Sequence, residues 1–112
     1  MLTLGHDLVF YDPRAHKLDA PEDYAKWDFG AVALCDAVFA CMTLDNPSGY
    51  GMAAEIGFAR GLGKRIVFVN YLRAGDQRQK HMLLIEELCD SVHDKLTDGA
   101  KALCKIARSH SR

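Results

Sequence analysis

The sequence predicts a single α/β domain with a mostly parallel sheet of four or five strands. Three observations carry this prediction. Short apolar runs alternate with segments of helical length, the run at residues 65–70 is continuously apolar at its centre, and 112 residues suffice for one domain. Apolar residues make up 49% of the chain, which permits a packed core. We therefore expect a three-layer, flavodoxin- or Rossmann-like arrangement.

The first half of the chain contains two predicted strands with a helix between them. Residues 8–11 form a short apolar run closed by Asp12 and Pro13, which indicates a buried strand that ends in a turn. A helix is predicted over 21–34, because the proline at its start suits a first helical turn. Residues 36–42 form the second apolar run and the second predicted strand.

The second half continues the alternation. Residues 43–51 hold Asp, Asn, Pro, Ser and Gly and predict a loop, and a helix follows over 52–62 until glycines end it. Residues 65–70 form the clearest strand. The remaining predicted elements are a helix over 80–88, a short strand over 90–93 and a terminal helix to about residue 107 that Asp94 or Thr97 caps.

Charge and composition exclude several classes of function. Lys and Arg total 14 against 15 for Asp and Glu, which gives no electrostatic case for nucleic acid or an anionic membrane as a partner. No apolar run is long enough to span a bilayer and no signal peptide is recognisable, so we expect a cytoplasmic protein. The four cysteines and five histidines lack metal-ligand spacing, so we expect buried thiols and neither a metal nor an organic cofactor.

Two acidic residues fall on helix faces that should be apolar. On a helix projection of residues 52–62, Glu55 lies within the arc formed by Met52, Ile56, Ala59 and Leu62. A carboxylate there is desolvated at some cost unless it is paired or used.

Asp28 has the same character in the preceding helix, where it lies among Tyr24, Ala31, Val32 and Cys35. Both acids therefore point toward the sheet. Ligands of parallel sheets bind beyond the carboxyl ends of the strands, which places Asp12, the 43–51 loop and Asn70 along one functional edge. Two carboxylates near such an edge suit glycosidic chemistry, in which one attacks an anomeric carbon and the other handles a proton or orients the sugar. A helix cap and a loop-binding Asp are the structural alternatives.

The spacing of these residues resembles a known family. The stretch Asp28-x7-Asp36-Ala-Val-Phe-Ala, then Gly51-x3-Glu55-Ile-Gly-Phe-Ala59, then Gly63-Lys-Arg-Ile-Val-Phe-Val69 is similar to nucleoside 2-deoxyribosyltransferases and to the related deoxynucleotide and cytidylate N-glycosidases. The resemblance covers roughly residues 8–95. Its most specific part is the segment that contains Glu55.

The resemblance implies a role for each matching residue. Glu55 is then the nucleophile that forms a glycosyl-enzyme, and Asp28 holds the sugar and assists the base. The family is oligomeric and needs no cofactor, so the resemblance implies a homodimer or larger homo-oligomer that acts on a small nucleoside or nucleotide. The predicted substrate-binding residues are Asn46, Ser48, Gly49, Gly51, Met52, Asp12 and Asn70.

Two features depart from the family pattern. Family transferases carry an Asp six residues before the nucleophile, where this chain has Gly49, and the nucleotide hydrolases tend to carry a Ser there, one position from Ser48. This favours a nucleoside monophosphate over a nucleoside. The family also begins with a strand and a glycine-containing loop, which the resemblance does not find in this chain. Gly5-His-Asp7 leads directly into the run at residues 8–11, which corresponds to the second strand of the family. We therefore expect a shortened fold, a different pairing of the strands at 8–11 and 37–42, or a neighbouring subunit that completes the sheet.

Three functions follow from these residues. The first is N-glycosidic bond cleavage or transfer on a (deoxy)nucleoside or its 5′-monophosphate through Glu55. The alternative is a non-catalytic nucleotide-binding or assembly module of the same fold. The third is a small α/β domain in which Glu55 only caps its own helix.

Overall fold

The computed structural model describes the backbone of residues 2–4, 8–10 and 20–110, and the side chains of residues 20–109. Asp12, a predicted substrate-binding residue, lies outside this part of the chain. The strands are β1 (Leu2–Leu4), β2 (Leu8–Phe10), β3 (Ala37–Met42), β4 (Arg65–Asn70) and β5 (Ser91–His93). The helices are α1 (Pro21–Leu34), α2 (Tyr50–Gly61), α3 (Gln79–Glu87) and α4 (Leu96–His110).

Strands and helices alternate around a parallel sheet with the order β3-β4-β5. Ala37 pairs with Arg65 at one end of the first pair, and Met42 pairs with Asn70 at the other. The predicted α/β class is therefore confirmed. Within the described residues this parallel sheet has three strands, rather than the four or five that we expected.

The difference lies in the predicted strand at 8–11. Its described part, β2, pairs antiparallel with β1, so that Leu2 lies opposite Phe10 and Leu4 opposite Leu8. A parallel neighbour needs a crossover of about a dozen residues, whereas the short connection from Leu4 to Leu8 joins antiparallel strands. An apolar run predicts a strand without fixing its direction of pairing.

Both faces of the sheet are covered, as a three-layer fold requires. On one face, Val38, Ala40, Met42, Ile66 and Phe68 belong to an apolar core that α1, α2 and α3 complete. The buried helix residues of this core are Val32, Ile56, Ala59, Met82 and Ile85.

The opposite face packs on α4, which contacts all three strands of the parallel sheet. Gly99 makes this packing close: a Cβ added there would overlap Cγ2 of Val69 and would lie 3.2 Å from Cε2 of Phe39. The absent side chain lets α4 approach the sheet.

Two helix starts differ from the predicted positions. α2 begins at Tyr50 rather than at residue 52, because Gly49 precedes it in a left-handed conformation with φ 71°. α4 begins at Leu96, so Lys95 occupies the cap position and neither Asp94 nor Thr97 does. None of the helices in residues 20–110 combines the length and the apolar character needed to cross a bilayer.

Candidate functional site

Glu55 and Asp28 meet where α1 packs against α2. The helices are joined by an edge-to-face contact between the rings of Phe29 and Phe58, with centroids 5.1 Å apart and planes at 83°. Phe29 follows Asp28 directly, and Phe58 lies one helical turn after Glu55. The ring contact therefore holds the two acids on facing sides of the helix pair.

The side chains of Glu55 and Asp28 are half-buried, and Oδ1 of Asp28 is fully buried. A side-chain hydrogen bond joins the two groups. Two carboxyl groups form such a bond only when one of them carries a proton. Burial raises the pKa of Glu55 to about 7, and the charge of Asp28 and the hydrogen bond to it add to the effect.

A carboxyl group with a pKa near 7 is present in both forms at neutral pH. It can therefore act as a base or nucleophile when ionised and as an acid when protonated. Strongly perturbed carboxyls concentrate at functional sites, and ion pairs in structural networks are the other common cause. Here the partner of Glu55 is a second acid, which raises the cost of burial instead of relieving it.

The helix projection placed the flanking residues correctly except at one end. Ile56 and Ala59 are fully buried and Met52 is half-buried beside Glu55. Leu62 lies beyond the last residue of α2 and is 47% exposed. The apolar arc around Glu55 is therefore shorter than the sequence indicated.

The loop before α2 is organised by the side chain of Asn46. Its Oδ1 accepts hydrogen bonds from the backbone N–H groups of Ser48 (3.3 Å) and Gly49 (2.8 Å). Ser48 Oγ accepts a longer one, 3.4 Å, from the N–H of Tyr50. Asn46 and Ser48, two of the predicted substrate-binding residues, thus use their side chains to hold the backbone of this loop.

Gly49 can hardly be any other residue. Its positive φ disfavours a side chain, and an added Cβ would lie 3.0 Å from Sδ of Met42. The amides of Gly51 and Met52, in the first turn of α2, have no acceptor within the helix. They lie about one turn from Glu55, which is ~6 Å along the helix axis.

Arg78 also belongs to this region, although the sequence analysis did not identify it. Its Nη1 donates to the backbone carbonyl oxygens of Leu44 (2.9 Å) and Asn46. The carboxylate of Asp76 accepts from Nε (3.0 Å) and Nη2 (2.7 Å). Backbone carbonyl acceptors leave no pattern in a sequence, so no sequence signal points to this role of Arg78.

Asn70 is held by residues that follow β4 in the chain. Its Nδ2 donates to Oε1 of Gln79 at 2.8 Å, and its Oδ1 accepts from the N–H of Leu72 at 3.0 Å. It lines a cavity of about 420 Å³ with residues of α3, β5 and α4, among them Glu86 and Asp98. Neither Glu55 nor Asp28 lines this cavity. The structure thus brings Asp28 to Glu55, in the helix that follows the 43–49 loop, whereas the hydrogen bonds of Asn70 are to Gln79 and Leu72.

The four cysteines lie in the part of the chain whose side chains the structure describes. All four cysteines are half-buried and free, and burial raises the pKa of Cys35, Cys41 and Cys89. Within residues 20–109, no three His, Cys, Asp or Glu side chains are grouped so that they could hold a metal ion.

Comparison with known proteins gives one informative result. No family model matches the sequence, and no curated protein shows significant similarity to it. Among solved structures, the chain is similar to the CMP N-glycosidase BcmB of Clostridium botulinum, with a TM-score of 0.53 and 20% sequence identity. The match covers 80% of this chain and 72% of that chain. At this level of identity, the likeness shows a shared α/β fold.

Proposed function

We propose that the protein cleaves the N-glycosidic bond of a nucleoside 5′-monophosphate, with Glu55 as nucleophile. The observation that carries the proposal is the hydrogen-bonded pair of Glu55 and Asp28, in which the pKa of Glu55 is raised to about 7. The structural likeness to a CMP N-glycosidase supports the same class of reaction.

The reaction takes two displacement steps. The Glu55 carboxylate attacks the anomeric carbon, and the bond from that carbon to the base nitrogen breaks with its electron pair on the base. Asp28, which takes the shared proton from Glu55 along their hydrogen bond before the attack, gives that proton to the departing base. Water then attacks the anomeric carbon, the ester bond to Glu55 breaks, and the water proton returns to the carboxyl pair. Attack by a second base in place of water makes the reaction a transfer.

The start of α2 favours a 5′-phosphate over a free 5′-hydroxyl. The amides of Gly51 and Met52 and the positive end of the helix dipole attract an anion. Ser48 Oγ lies in the same loop as a further hydrogen-bonding group. The side chain of an acidic residue, which would repel phosphate, is absent at Gly49.

Free base released from nucleotides tests this function. The purified protein is incubated with CMP, dCMP and the matching nucleosides, and the base is measured by chromatography. We expect release by the wild type, a loss of at least about a thousandfold in Glu55→Ala, and no loss in Glu87→Gln, which changes an exposed glutamate of α3. Equal release by wild type and Glu55→Ala, or none by the wild type, contradicts the proposal.

A 2-fluoro analogue of the substrate separates the chemical roles. Mass spectrometry should find a glycosyl adduct on the peptide that contains Glu55 and none in Glu55→Gln. Nucleotide binding by calorimetry without any turnover would instead favour the non-catalytic nucleotide-binding module.

We further propose that the chain works as a homo-oligomer. Tyr50, at the start of α2, is 79% exposed, and Leu84 on α3 is 70% exposed. The resemblance of the Glu55 segment to an oligomeric family supports this proposal, and a second copy would bury exposed apolar side chains of this kind. Light scattering coupled to size-exclusion chromatography should give a mass of at least twice 12.4 kDa.

A further inference from the structure

Arg78 reaches across the chain to the loop that precedes α2. It lies just before α3, yet its Nη1 donates to the carbonyl oxygens of Leu44 and Asn46, more than thirty residues earlier. These two carbonyl groups belong to the 43–49 loop, which has no regular secondary structure of its own. Arg78 therefore fastens a loop of the candidate site to the segment between β4 and α3.

Asp76 holds the guanidinium in the orientation that this contact needs. Its two carboxylate oxygens accept from Nε and Nη2, and Oδ1 also accepts from the backbone N–H of Arg78 at 2.9 Å. The hydrogen bonds from Arg78 lower the pKa of Asp76 to about 2. Because the guanidinium fork is planar and rigid, fixing one edge on the carboxylate aims Nη1 at the loop.

Asn46 transmits the contact to the start of α2. Its carbonyl oxygen is held by Arg78, and its side-chain Oδ1 accepts the N–H groups of Ser48 and Gly49. Gly49 is the residue that caps α2 and lies against Met42. Release of Arg78 therefore frees the Asn46 backbone to rotate and weakens the hydrogen bonds that fix the loop in front of the Gly51 and Met52 amides.

Glu55 should be insulated from that change. It lies in the second turn of α2, where the fully buried Ile56 and Ala59 anchor the helix to the sheet. Its hydrogen-bond partner Asp28 belongs to α1, which is not part of the 43–49 loop. A loosened loop thus alters the end of the site that meets the phosphate and leaves the reacting carboxylate in place.

From this arrangement we infer that Arg78 is a positioning residue, oriented by Asp76, that fixes the 43–49 loop for recognition of the substrate 5′-phosphate. The phosphate part of this inference rests on the proposed function. The tether itself does not, because it is a set of contacts within the chain.

Kinetics with paired substrates test the inference. In Arg78→Gln we expect the KM for CMP to rise about tenfold or more, as loss of charge-assisted hydrogen bonds implies, with kcat changed by about twofold or less. The KM for cytidine, which lacks the phosphate, and the pH dependence of kcat should stay as in the wild type. Arg78→Lys, which keeps the charge but not the fork, should recover only part of the KM for CMP.

The control is Arg65→Gln, which removes another Arg–Asp pair. Nε of Arg65 lies 3.3 Å from Oδ1 of Asp90, and Arg65 is at the amino-terminal end of β4, opposite to the end that leads to Arg78. It should leave both KM values unchanged. Asp76→Asn should raise the KM for CMP in the same direction as Arg78→Gln, and the double variant should be no worse than Arg78→Gln alone.

Hydrogen exchange of the Ser48 and Gly49 amides separates the tether from the proposed function. Arg78→Gln should accelerate their exchange at least about tenfold, while Arg65→Gln should not. If the wild type releases no base but this acceleration is found, the tether stands and the proposed function fails. If the wild type is active and the amides of Arg78→Gln keep their protection, or the KM values for CMP and cytidine rise equally, the inference is overturned.

Discussion

Replacement of Glu55 by Gln tests whether this carboxylate lowers the stability of the fold. In the folded protein the pKa of Glu55 is raised from 4.5 to about 7, first by burial and then by Asp28. The unfolded chain has neither cause. Between these two pH values the folded state therefore binds a proton that the unfolded state has lost, and the free energy of unfolding falls as the pH rises.

The size of the effect follows from the same two pKa values. One pKa unit corresponds to about 1.4 kcal/mol, so the full shift is roughly 3 kcal/mol before screening. Because the side chain is only half-buried, solvent screening reduces the expected cost to about 1–2 kcal/mol. Gln has no charge to desolvate and donates an N–H to Asp28 as protonated Glu55 does. We expect Glu55→Gln to gain this amount over the wild type at about pH 8, and little at about pH 4.5.

Urea unfolding gives the free energy of unfolding of both proteins at the two pH values. The difference between variant and wild type at about pH 4.5 is subtracted from that at about pH 8, which cancels any effect of the substitution that does not depend on pH. Glu87→Gln, an exposed change of the same charge, is the control. A Glu55→Gln variant that is equally or less stable than the wild type at about pH 8 would refute the reasoning. A loss of about 1 kcal/mol at both pH values would favour a helix-capping role for Glu55.

Two further predictions concern the helix pair and the packing of α4. Asp28→Asn removes a charge that raises the pKa of Glu55, so the titration of the Glu55 carboxyl followed by NMR should move from about 7 to lower pH; an unmoved titration would show that Asp28 does not act on Glu55. Gly99→Ala should lower the free energy of unfolding by about 1–3 kcal/mol, because the new methyl group overlaps Val69. Gly57→Ala, a helical glycine with open space around it, should instead raise it by up to about 1 kcal/mol, and equal effects of the two substitutions would contradict the packing argument.

The succession of strands and helices from α1 onward could be predicted from the sequence, because each of these elements has a local cause. The apolar run of β4 is buried on both faces, and the proline at residue 21 starts α1 where expected. Pairing is not local. β2 was predicted as a strand, but its antiparallel partner β1 was not, since an apolar run is compatible with either direction.

The candidate site divides along the same line. Helical periodicity alone placed Glu55 and Asp28 on inward faces, and the structure brings them into hydrogen-bond contact. Other contacts depend on loops whose path no periodicity describes. These are the hydrogen bond between Asn70 and Gln79 and those from Arg78 to the carbonyl groups of Leu44 and Asn46. The roles of these residues toward a ligand stay predictions.

The close packing of Gly49 against Met42 limits how the ligand preference of this loop can be redesigned. An Asp at this position, which the resemblance associates with a free 5′-hydroxyl, has to adopt a left-handed backbone and displace Sδ of Met42. Met42 is itself fully buried at the end of β3, so it has no room to move outward. A change of preference through residue 49 thus needs a smaller residue at 42 in the same variant.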